Sequence, residues 1–169
     1  MLSDINAPYL QSLMRLIETQ SKVTIATWCI TYAGKHLLPI YEKQCANDMR
    51  PRKALAAAKN YLEGTAKLNE AKLLIKDCRQ AARDAEGNPV AQAIARAIDA
   101  SASAIHNLPA SLGIALYGSL GLAYHELGTD EKWEALEKHC AKECAKMEAA
   151  LRKSSVLNEP NPAKITRHC

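Results

Sequence analysis

The residues best able to do chemistry in this chain are its histidines and cysteines. His139, Cys140 and Cys144 fall close together, and His168 with Cys169 could complete a metal-binding set. Cysteines four apart share one face of a helix, but a structural zinc site is announced by paired Cys-x2-Cys units, and the chain has none. Cys140 and Cys144 also keep register with Leu136, Met147 and Leu151, where a cysteine acts as a small apolar side chain. The expectation is buried thiols, with no metal and no cofactor. A carboxylate-bridged di-iron bundle needs Glu three residues before an inward-facing His. The residues at that spacing before His36, His106, His125 and His139 are Ala33, Ser103, Leu122 and Leu136. The metalloprotease pattern His-Glu-x-x-His fails as well, because His125-Glu126 continues as Leu127-Gly128-Thr129.

Asp99, Ser103 and His106 have the composition of a hydrolytic triad and lie on one helical face. Side chains of a single face run parallel, whereas a triad requires nucleophile, base and orienting acid to converge. No catalytic residue is expected. Lys72, Lys76, Arg79 and Arg83 form a basic stripe at helical spacing. Such stripes can follow a phosphate backbone, which makes a nucleic-acid-associated helical protein the alternative reading. No aromatic residue interleaves the four to stack bases, so a solvated helix face is the plainer one.

The stretch DMRPRKA (48–54) sets two arginines around a proline where a helix begins. Pro51 suits the first helical position, where its missing N–H would have been unpaired. The proline should hold Arg50 extended, and Asp48 suits the positive end of the helix dipole. That leaves Arg50 and Arg52 on an exposed corner with no role in the fold. Asp48, Arg50 and Arg52 are therefore the candidate partner-binding residues.

The elements that position these residues are helices. Leu10, Leu13 and Ile17 mark a helix over 7–19, and a wide apolar arc from Ile25 to Ile40 marks one over 22–44, kinked at Pro39. The helix opened by Pro51 carries Leu55, Ala58 and Leu62 inward and ends at Gly64. Leu68, Ala71, Ile75, Cys78 and Ala82 define a helix over 66–85, which Gly87-Asn88-Pro89 breaks. Helices over 89–106 and 109–127 follow, turned by Asn107 and Pro109. Between Gly87 and Thr129 the only charged residues are Arg96, Asp99 and Glu126, so this pair should be the central hairpin. Gly113, Gly118 and Gly121 should let neighbouring backbones approach closely. A last helix over 131–153 buries Trp133, Leu136, Cys140, Met147 and Leu151. Residues 116–136 resemble one tetratricopeptide hairpin, but nothing matches 34 residues earlier, as an array would require. The expected fold is all-α, a single-domain bundle of about seven mostly antiparallel helices over 1–153 with an irregular tail over 154–169.

Composition agrees with that architecture. A chain of 169 residues can bury one core, and with no Phe and 5% aromatics the core must be built from Ala, Leu and Ile. The net charge of +4 is too mild to indicate nucleic acid. The uncharged run 108–124 is too short and glycine-rich to span a membrane. The N-terminus lacks the basic and apolar regions of a signal peptide. The six cysteines are scattered, so they read as reduced thiols of a cytoplasmic protein.

Several segments, taken in order, resemble one bacterial family. They are LLPIYE (37–42), DMRPRKA, the Ala-rich helix closing with Glu63-Gly64, and the helix from Glu70. An Ala/Ser-rich helix ending at His106 then leads into GIALYG (113–118). This order is similar to the fifth-immunity-protein-like group, all-helical immunity proteins of polymorphic-toxin systems. The family would carry a second histidine after His106, where this chain has Ala110. The resemblance implies a non-enzymatic protein that binds and neutralises a cognate protein toxin.

Overall fold

The computed structural model describes residues 4–165. Among them every regular element is helical, and the expected seven rods are present. The first is α1 (Pro8–Ile17). The second joins α2 (Lys22–Tyr32), a π-helical turn (Ala33–Leu37) and α3 (Leu38–Gln44) without a break. Then come α4 (Arg50–Leu62), α5 (Leu68–Asp84) and α6 (Pro89–Ser103). The sixth rod combines a 3-10 turn (Leu108–Ser111), a second π-helical turn (Ile114–Gly118) and α7 (Ser119–Leu127), and α8 (Trp133–Ser154) is the seventh.

Local chemistry sets most of these boundaries. The Ser21 hydroxyl accepts the Thr24 N–H to open α2, and the Asn88 amide oxygen accepts the Ala91 N–H to open α6 behind Pro89. At the end of α4, Gly64 takes a positive φ. Its N–H bonds the Tyr61 carbonyl while the Thr65 N–H reaches back to Asn60, a two-bond helix stop. The expected disturbance at Pro39 takes a particular form. Pro39 has no N–H for the Lys35 carbonyl, and just upstream the helix widens so that the Leu38 N–H bonds Ala33, five residues back.

The core centres on α6. Ala91, Ile94, Ala95, Ala97, Ile98 and Ala102 are all buried, and the helix touches α2, α3, α4, α5 and α7 as well as both π turns. Small side chains make so many neighbours possible. At one crossing a Cβ on Gly121 would stand 2.6 Å from the Ile94 side chain and 3.2 Å from its backbone nitrogen, so that position requires glycine. The charge-poor pair is central only in its first half. α7 leans outward onto α8, where Leu120, Ala123, Leu136 and Cys140 form a small separate cluster with Tyr124 and Trp133. This is the isolated tetratricopeptide-like hairpin.

Residues 155–165 are irregular but fastened. Glu159 accepts from the Ser21 N–H (2.7 Å), the Ser21 hydroxyl (2.8 Å) and the Thr24 hydroxyl (2.6 Å). Gln20 exchanges two bonds with Val156, its carbonyl accepts the Ala163 N–H, and Ala163 and Ile165 are buried. No helix among the described residues is long and apolar enough to cross a membrane.

Candidate functional site

The corner at the start of α4 is a charged network whose parts come from three helices. α3 supplies Tyr41 and Glu42, the entry to α4 supplies Asp48, Arg50 and Arg52, and α5 supplies Asp84. Arg50 grips the Asp48 carboxylate with two nitrogens, at 2.9 Å and 2.7 Å, and its third nitrogen reaches Asp84 at 2.6 Å. Asp48 also accepts the Arg50 backbone N–H at 3.0 Å and the Tyr41 hydroxyl at 2.7 Å. Gln80 donates to the other Asp84 oxygen. Arg52 pairs with both Glu42 oxygens, at 2.7 Å and 2.8 Å, and stays half-exposed.

Two sequence expectations need correction here. Arg50 is helical, not extended, because Asp48 captures its backbone N–H and its guanidinium together and so starts the helix one residue before Pro51. The arginines are also explained by the fold: Arg50 ties α4 to α5, and Arg52 ties α4 to α3. Electrostatics follow the geometry. The Arg50 hydrogen bonds draw the Asp48 carboxyl down to about 2 against the burial that would raise it, and Asp48 and Asp84 push Arg50 up. Burial and the bond to Asp48 push the Tyr41 phenol up. Tyr41, Glu42 and Asp84 were not singled out by sequence reasoning. The only local signal was the Gln80–Asp84 spacing of four on one helix.

The other sequence candidates do not converge. Ser103 donates to Asp99 at 3.5 Å, while the His106 Nδ1 is buried without a partner, so nucleophile and base are not joined. On the basic stripe, Arg79 is held by Asp99 at 3.0 Å and 3.2 Å, Arg83 bonds Gln80, and Lys72 and Lys76 are exposed. Cys29, Cys78, Cys140 and Cys144 are buried. Burial raises Cys29 and Cys78, and takes Cys144 up to about 12. No group of three or more potential metal ligands occurs among the described residues, and His168 and Cys169 lie outside them.

Two clefts complete the picture. One, of about 770 Å³, runs beside α6 and the 108–117 segment, with Arg79, Arg96, Asp99, Asn107 and Tyr117 in its walls. The other, of about 750 Å³, separates α2 from α8 and is lined by Trp28, Tyr32, Lys35, His36, Glu143 and Lys146. In the second, the nearly buried Glu143 carboxylate is held by Lys146 at 2.7 Å, with His139 at 3.5 Å. Burial and the Glu143 charge push Tyr32 up to about 12, and burial together with Lys35 lowers His36. Both clefts offer shape and charge for binding.

Comparison with curated proteins and with solved structures returned no match. Comparison with family models matched one, described as Imm-5 like putative immunity protein, over residues 15–150. That span runs from α1 into α8 and takes in the charged corner, the basic stripe and both π turns, so the chain belongs to this immunity-protein-like family.

Proposed function

We propose that the chain is a bacterial, cytoplasmic immunity protein that neutralises a cognate protein toxin by binding it, without chemistry of its own. The observation that carries this reading is the family match over residues 15–150. The geometry supports it at the α4 corner, which is held by paired side chains, a state that reduces the ordering cost of association. At that corner Asp48 and Arg50 act as internal scaffold, and Arg52 with Glu42 is the part offered to a partner. The basic stripe carries no second reading: Arg79 is held by Asp99, and no aromatic residue interleaves the other three cations to stack bases.

The test is to clone the reading frame next to this chain's own, which this reading expects to encode a toxin domain, and to co-express the two. Cells should survive only when this chain is present, and the two proteins should elute together in size-exclusion chromatography. Arg52→Glu should weaken that complex several-fold. Survival without a complex would refute neutralisation by binding.

A further inference from the structure

The sixth rod and α6 enclose a trough that the family match does not interpret. The cleft of about 770 Å³ and a smaller hollow of about 220 Å³ share two residues, Arg96 and Tyr117. The smaller hollow adds Gln92, Leu120 and Tyr124. The trough therefore follows α6 from Pro89 to beyond its end at Ser103, with Arg96 and Tyr117 at its midpoint.

Arg96 differs from Arg79, the other arginine of the trough. Arg50, Arg52, Arg79 and Arg152 each hold a carboxylate of the chain. Arg96 is exposed and instead lies over the Tyr117 ring, 5.8 Å from its centroid. The acid in the trough, Asp99, is already taken by both nitrogens of Arg79. One positive charge is left uncompensated on a surface otherwise made of tyrosine, aliphatic and small polar groups. Protein interfaces have this composition at their centres: rich in Tyr and Arg and poor in Lys and Glu. The cation–π contact with Tyr117 restrains the guanidinium near the ring, which lowers the freedom lost when a carboxylate arrives.

We propose that this trough is the main contact surface for the toxin, and that an Asp or Glu side chain of the toxin seats on Arg96 beside Tyr117. The proposal rests on the neutralising reading above and adds the surface and the chemistry of the partner. It places the energetic centre at Arg96 and leaves Arg52 with a smaller, peripheral contribution.

The experiment measures the affinity of the purified neighbouring toxin domain for the full chain by titration calorimetry. Arg96→Ala and Tyr117→Ala should each weaken binding at least tenfold, and Arg96→Glu at least a hundredfold. The matched charge reversal Lys138→Glu on α8 should change it less than threefold. Circular dichroism shows whether each variant folds, and Arg96→Lys, which keeps the charge but loses the planar fork, should fall between wild type and Arg96→Ala. A toxin carboxylate changed to lysine should restore binding to Arg96→Glu. Wild-type binding with Arg96→Glu unaffected would overturn the trough and leave neutralisation standing. Absence of wild-type binding would overturn both. A wild-type dimer in light scattering that Arg96→Glu makes monomeric would assign the trough to a second copy of the chain, and the proposal would fall.

Discussion

Arg50 and Arg52 sit two residues apart and do different work. Arg50 holds Asp48, which is mostly buried, and bridges to α5; its replacement leaves that carboxylate with Tyr41 as its remaining side-chain donor. Arg50→Ala should destabilise the fold by about 1–2 kcal/mol, whereas Arg52→Ala, which removes a half-exposed surface pair, should cost clearly less. Chemical denaturation of the two variants separates them. The Asp48 network should also show in acid. Because the folded-state carboxyl is drawn below its ordinary 3.8 to about 2, its contribution is complete above about pH 4 and disappears as the pH falls toward 2. The amount is about 2 kcal/mol, and Asp48→Asn should lack that acid-dependent step. The buried thiols should resist a thiol reagent: Cys29, Cys78, Cys140 and Cys144 should react only after denaturant opens the fold. Fast native labelling of any of these four would contradict the packing described. The sequence revealed the helix entry at Pro51 because capping is local. It hid the cross-helix roles of the arginines because those acceptors lie on other helices, Asp84 34 residues from Arg50 and Glu42 10 residues from Arg52, although Asp48, two residues from Arg50, was within local reach.

At the scale of elements, the helices were readable because each buries one face and therefore repeats its apolar residues at the helical period. Leu10, Leu13 and Ile17 of α1 and Ala71, Ile75, Cys78 and Ala82 of α5 are buried as that rule requires. The π turns were not readable, because widening a helix by one residue depends on what packs around it; only Pro39 hinted at the first. The outward lean of α7 escaped as well. A low charge content says that a helix can be buried, not which neighbours bury it. The close crossing of α6 and α7 gives a sharp test: Gly121→Ala should cost about 1–3 kcal/mol through crowding of Ile94, read as a lower denaturation midpoint. The tail gives another. Glu159 caps the start of α2 from the far end of the chain, and its carboxyl is lowered by the bonds from Thr24 and Ser21. Removing residues 155–169, or making Glu159→Ala, should lower the melting temperature at neutral pH. The Glu159→Ala effect should fade as the pH falls below the ordinary carboxylate range, since the wild-type group then becomes neutral.

At the scale of the whole molecule, the chain is a helical bundle around one small-residue helix, with Arg50, Arg52 and Arg79 paired to carboxylates of neighbouring helices. α6 can accept so many neighbours because its inward face is largely alanine, and at the α4 corner Arg50 bridges to Asp84 of α5 while Arg52 pairs at the surface with Glu42 of α3. Such an object is suited to presenting a stable surface, and the family to which it belongs supplies the reason for one. The central claim is neutralisation by binding, and a titration tests it most directly. The activity of the purified toxin domain is measured against increasing amounts of this chain, at toxin concentrations well above the dissociation constant. Our account predicts a straight decline to zero at a fixed stoichiometric ratio, with both proteins recovered intact from the complex. A small fraction of an equivalent that silences all of the toxin would mean catalytic inactivation, and toxin activity untouched at excess would mean no neutralisation; either result would contradict the account.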